Sequence, residues 1–241
     1  MSLCAAMDAP ETANAAQRKL LKLAHKRLER FVTLAPKFLV NDDPETIHDL
    51  RVSSRRLQQT IRSLSASPQP ARSRKLVKVL RRVRQALGSL RNLDVNSELA
   101  RSRMKKAPSP VLRDSWQALA DHLQKQRHAL VGAARAEVAK YDGIQFIERA
   151  QKLLSHADLE TDPIPALEKA VAESLSEWDE NYALAMENRS VDHLHSLRIA
   201  TKRLRYRAEL LADIGAASLK PRVRDLKNIQ SALGDWHDRS V

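Results

Sequence analysis

One stretch of this chain is written twice. His48-Asp-Leu-Arg-Val-Ser-Ser-Arg-Arg-Leu returns as His195-Ser-Leu-Arg-Ile-Ala-Thr-Lys-Arg-Leu, 147 positions later. A second echo runs at an offset of 146: Val77, Lys78, Leu80, Arg81, Leu87 and Gly88 come back as Val223, Arg224, Leu226, Lys227, Leu233 and Gly234. Self-similarity over this span implies two copies of one structural unit, so the chain is confined to folds that can be doubled.

Each copy reads as helix. Only five glycines occur in 241 residues, and runs of Ala, Leu, Arg, Lys, Glu and Gln fill most of the length. No period-two run rich in Val, Ile, Thr and aromatics appears, so the expected fold class is all-α. Breakers divide the chain. Pro36 and Asn41-Asp-Asp-Pro44 end a first helix that begins near Glu11. Further turns are expected at Ser65–Pro70, Ala107–Pro110, Asp142-Gly143, Asp158–Pro165 and Gly215–Ser218. Asp43 and Ser190 are equivalent under the repeat and both are good N-caps, while Pro44 suits a first helical position.

At about 100° per residue, Arg51, Arg55 and Arg62 fall on the His48 side of their helix, and Leu50, Leu57, Ile61 and Leu64 fall opposite. In the second copy, His195, Arg198, Lys202 and Tyr206 oppose Leu197, Leu204, Ala208 and Leu211. A basic face set against an apolar one implies two antiparallel helical bundles related by a pseudo-twofold axis. The reading divides the chain into a disordered terminus at 1–10, a first repeat at 11–140 and a second at 144–241. Val241 matches Val95, so residues 96–140 have no counterpart in the second copy. Either the chain is truncated or its second bundle is closed in another way. Trp116, Trp178 and Trp236 are assigned to the core.

The formal net charge is +13. Between His48 and Lys106 sixteen Lys or Arg meet only Asp49, Asp94 and Glu98, so this window alone carries the whole excess. A local concentration of cations predicts a polyanionic partner. The single Cys4 fits a reducing cytoplasm. Met1–Pro10 has neither the basic nor the apolar region of a signal peptide, and no run is long enough for membrane insertion.

Paired histidines invite catalytic and metal-binding readings. His-x-x-Arg spacing brings no carboxylate, cysteine or second histidine onto the face. His193 and His195 lie about 200° apart on a helix and cannot chelate together. The glycines are isolated, so no phosphate loop exists and no cofactor is expected. Nucleic acid is a weaker candidate, because specific or single-strand binding draws on base-reading amides or stacking aromatics. Aromatics are 4% of residues. What remains is a chain of phosphates without bases, inorganic polyphosphate, held by arginine forks and lysine point charges. The alternatives are a general nucleic-acid-binding helical module, or a phosphate-transfer enzyme using His48 or His195.

The doubled His-x-x-Arg-x-x-x-Arg/Lys-Arg helix, with Leu87-Gly-x-x-Arg-Asn-x-Asp-Val after the first copy, resembles the CHAD family, the conserved histidine α-helical domain. The resemblance covers residues 11–241. It implies an all-helical pair of four-helix bundles whose basic faces meet at a central groove or pore, non-catalytic polyphosphate binding, and association with cytoplasmic polyphosphate granules. The residues carried over are His48, Arg51, Arg55 and Arg56 with His195, Arg198, Lys202 and Arg203. Lys78, Arg81, Arg82, Arg205, Arg224 and Lys227 follow from neighbouring helices. Lys202 replaces the first copy's Arg55, and Asn92 stands where the family pattern carries aspartate. Two structural alternatives stay open: histidines that orient helices by hydrogen bonding, and Arg51 and Arg198 paired with Asp94 and Asp238. The acidic run Asp158–Glu180 reads as a solvated face or connector.

Overall fold

A computed structural model describes residues 9–64, 71–156 and 162–240. The chain forms α1 (Ala9–Val40), α2 (Pro44–Ser63), α3 (Ala71–Ala86), α4 (Gly88–Lys105), α5 (Pro110–Ala139), α6 (Gly143–Ser155), α7 (Ile164–Glu187), α8 (Val191–Ile214) and α9 (Lys220–Ser240), with a 3-10 turn at Ala217–Leu219. No strand occurs among the described residues, and the all-α expectation holds. Residues 1–8, with Cys4, and the turn residues 65–70 and 158–161 lie outside the described residues.

The caps lie where the repeat puts them. The Asp43 carboxylate accepts from the Thr46 amide at 3.1 Å, and the Ser190 hydroxyl accepts from the His193 amide at 3.2 Å. Each satisfies a donor that a helix start leaves open. Pro36 corrects one expectation, because α1 runs through it to Val40. The ring is exposed, while Leu34, Ala35 and Phe38 on the other side of the helix are buried. Burying the leucine and the phenylalanine is worth about 1.5–3 kcal/mol each, which rivals the roughly 3 kcal/mol penalty of an interior proline.

The chain divides into two compact units that do not follow sequence order. One comprises Lys26–Gln58 and Gln69–Leu153; the other comprises Met1–His25, Gln59–Pro68 and Leu154–Val241. Helices α1 and α2 therefore each lend a segment to both. In the α3–α5 unit the fully buried side chains include Phe31, Phe38, Ile47, Leu50, Leu57, Leu76, Leu80, Leu87 and Leu90. Phe31, Tyr141 and Phe146 close together with ring centroids 5.2–5.6 Å apart. Burial pushes the Tyr141 phenol well above its ordinary pKa, and the Asp142 charge adds to the shift.

The α7–α9 unit is built on Leu20, Leu167, Leu210, Leu211 and Ile214, with Leu23, Leu64, Ile164 and Leu219 packed around them. Leu20 and Leu23 come from α1, so the start of the chain helps to close the core of the second copy. The three tryptophans correct another expectation: Trp116, Trp178 and Trp236 are each only half-buried.

Candidate anion-binding site

Helix α2 turns the predicted sides to core and surface. Leu50, Leu57 and Ile61 are buried, His48, Arg51 and Arg55 are half-buried, and Arg62 is exposed. Arg56 is half-buried, and its carbonyl accepts from the Arg27 guanidinium at 3.4 Å. Lys78, Arg81 and Arg82 stand exposed on α3.

Arg51 is the best-defined of these cations. Its Nη1 donates to the Arg84 carbonyl at 2.6 Å. That carbonyl belongs to the last turn of α3, whose acceptors have no partner within the helix. A methyl group on Gly88, the first residue of α4, would lie 3.7 Å from the same nitrogen. The guanidinium thus rests at the break between α3 and α4. Burial, followed by the charges of Arg55 and Arg91, holds its pKa below the ordinary value for arginine.

Asp94 does not answer this charge. It is buried and accepts from Arg127 Nε at 2.6 Å, and Arg127 Nη1 reaches Asp42 at 2.5 Å. Arg135 bonds Asp42 from the next turns of α5 at 2.8 Å. Burial opposes the Arg127 cation, but hydrogen bonds and charge from Asp42 and Asp94 outweigh it and raise its pKa. The Arg51–Asp94 bridge left open by the sequence is replaced by Arg127–Asp94. Asn92 is exposed, so its exchange from aspartate touches no buried pair.

On α8 the basic side is shorter than expected. His195 is exposed, and Arg198 and Lys202 are half-buried. Arg203 is exposed and ion-paired with Glu177. Arg205 turns inward: it is 8% exposed, its Nε donates to Gln230 at 2.8 Å, and its Nη1 pairs with Glu209 at 3.1 Å. It joins α8 to α9. Tyr206, expected beside the cations, is buried with its ring centroid 4.0 Å from the Arg205 guanidinium carbon. Helix α8 packs against α7, α9 and the 3-10 turn, and this enclosure leaves its second half no basic face. Arg224 and Lys227 are exposed on α9. The side chain of Asp238 lies outside the described residues.

His193 Nδ1 lies 2.9 Å from the Asn188 carbonyl, at the turn before α8. Among the described residues no three His, Cys, Asp or Glu side chains gather as a metal site, and no helix is long and apolar enough to cross a membrane. An open concavity of about 420 Å³ is lined by residues including Asp42, Arg101, Arg127 and His128; it holds no residue of the repeated histidine motif. Sequence reasoning missed Arg91, although it quoted this residue within the Leu-Gly-x-x-Arg-Asn motif. The signal was its place one turn beyond Gly88.

A family model described as the CHAD domain matches residues 22–241. Among solved structures the chain is similar to the crystal structure of the CHAD domain from the plant Ricinus communis. The TM-score is 0.70 at 22% identity, covering 93% of this chain and 75% of that one. A comparison with curated proteins finds no match. At this identity the structural likeness speaks for the fold, and the family match speaks for the lineage. This chain, with its doubled histidine helix and all-helical fold, belongs to the CHAD domain family.

Proposed function

We propose that this protein binds inorganic polyphosphate without catalysis, through the basic faces of α2–α3 and of α8–α9. The observation that carries the reading is Arg51. It is a half-buried cation crowded by Arg55 and Arg91, while the buried acid Asp94 is committed to Arg127. A site of this kind gains from a bound anion, because a phosphate supplies the opposite charge that the packing withholds. Arginine offers five donors in a fixed fork, and the Arg84 carbonyl takes one of the Arg51 donors. The ligand set of this proposal is His48, Arg51, Arg55, Arg56, Lys78, Arg81, Arg82 and Arg91 in one unit. In the other it is His195, Arg198, Lys202, Arg203, Arg224 and Lys227. Arg205 is left out because its donors hold Gln230 and Glu209. A cytoplasmic protein associated with polyphosphate granules is the corresponding biological setting.

Titration of labelled long-chain polyphosphate at several salt concentrations, with duplex DNA as competitor, tests the reading. The expected result is tight binding indifferent to chelators. Log K should fall with log salt at a slope of about −4 if about six phosphates are engaged. DNA that competes on equal terms would falsify it, and shortening of the polymer with added Mg²⁺ would replace it with phosphate transfer.

A further inference from the structure

The helix that precedes each histidine helix carries opposite charge in the two copies. Helix α1 holds seven Lys or Arg against Glu11 and Glu29, whereas α7 holds six acids against Lys169. The two helices are in register under the repeat. Helix α1 ends at Val40 and α7 at Glu187, 147 positions on, and Pro44 and Val191, which open α2 and α8, keep the same offset. On this register Glu177 stands where the first copy has Arg30, and Arg203 where it has Arg56.

This exchange reverses what the preceding helix does to the basic face. In the first copy Arg30 pairs with Asp49, the acid next to His48, so a cation from α1 answers an acid on α2. In the second copy Ser196 stands at the place of Asp49, and the preceding helix supplies the acid instead. Arg203 Nη1 donates to both carboxylate oxygens of Glu177. Other bonds already join α7 to α8. Trp178 Nε1 donates to the Thr201 hydroxyl at 2.8 Å. Arg207 Nη1 donates to the Ala170 carbonyl at 2.7 Å and to the Ser174 hydroxyl at 2.6 Å. The side chains of Arg203 and Glu177 remain 46% and 37% exposed, and an ion pair so open to water contributes little to stability.

A carboxylate and a phosphate compete for the same guanidinium donors. We infer that Glu177 is an internal competitor of the ligand: it holds Arg203 and so weakens the α8 face as a phosphate site. This inference rests on the polyphosphate reading and deepens it. A phosphate that engages Arg203 has to displace the carboxylate, whereas on α2 the acid Asp49 is already answered by Arg30.

The test is titration of long-chain polyphosphate into the full chain and four variants: Glu177→Gln, Glu168→Gln, Arg203→Ala, and Glu177→Gln with Arg203→Ala. Glutamine keeps the size of the side chain and removes its charge. Glu177→Gln should tighten binding about threefold, the scale of an exposed ion pair. It should also steepen the slope of log K against log salt by about 0.7, the increment for one more phosphate engaged. Arg203→Ala alone should change affinity by less than about twofold, and in the Glu177→Gln background it should cancel the gain. Glu168 is exposed nine residues earlier on α7, about half a turn away around the helix. Glu168→Gln removes the same net charge and should leave both readouts nearly unchanged. No gain in Glu177→Gln, an equal gain in Glu168→Gln, or a gain that survives Arg203→Ala overturns the proposal. Loss of helical circular dichroism in Glu177→Gln overturns it too, because the pair is then structural. A parent that binds no polyphosphate removes the functional reading and this proposal with it. A parent that binds, with no response at Glu177, removes this proposal alone.

Discussion

Arg51 and Arg127 are both guanidinium groups drawn out of water, and they are answered differently. Arg127 is held by two carboxylates, Asp94 and Asp42, and removing one partner of a buried pair costs about 3–5 kcal/mol. Asp94→Asn should therefore lower stability by about 3 kcal/mol in denaturant titration and leave polyphosphate affinity nearly unchanged. Arg51 faces a carbonyl and two cations, so Arg51→Ala should do the reverse, weakening binding with little loss of stability. Asp42 gives a pH test. The Arg127 hydrogen bond, opposed by burial and helped by the charges of Arg127 and Arg135, holds its carboxyl below the ordinary 3.8. A depressed folded pKa means that the native state binds fewer protons. The stability this contributes is whole above about pH 4 and is lost as pH falls through the lower folded value. Melting temperatures at pH 5 and pH 3 should differ less in Asp42→Asn than in the parent. Angular reading of the sequence placed His48, Arg51 and Arg55 correctly, because α2 has one clean core side. It misplaced Tyr206, and the resemblance carried Arg205 into the ligand set although its donors hold Gln230 and Glu209, because enclosure of α8 by its neighbours is a tertiary fact with no periodic signature.

At the scale of elements, the break between α3 and α4 is the one most tied to function. Gly88 opens α4 against the Arg51 guanidinium, and an added methyl group would make an ordinary contact at 3.7 Å. Alanine is the better helix former by up to about 1 kcal/mol. Gly88→Ala should thus hold or raise the melting temperature while covering part of the cation, and polyphosphate affinity should fall. Opposite movement of the two readouts marks Gly88 as keeping the cation open; parallel loss of both marks it as a packing residue. Capping was legible from sequence, since Asp43 and Ser190 carry the right side chains at equivalent positions. Ser190→Ala should cost about 1 kcal/mol, measured by thermal unfolding. The run of α1 through Pro36 was not legible, because a local breaker rule cannot see the buried Phe38 two residues further on.

At the scale of the whole molecule, the repeat revealed a doubled all-helical chain and the position of its basic helices. It did not reveal that compact units would borrow from α1 and α2 across the sequence order. That borrowing depends on long helices whose two halves enter different cores, such as Leu20 in one and Phe31 in the other. The central claim is that the cations of both copies exist to hold a phosphate chain. Its most direct test compares polyphosphate binding by the parent with that of the variant Arg51→Ala, Arg55→Ala, Arg198→Ala, Lys202→Ala, both checked for helicity by circular dichroism. The account predicts a folded variant whose binding is lost. A folded variant that still binds as the parent does would contradict it.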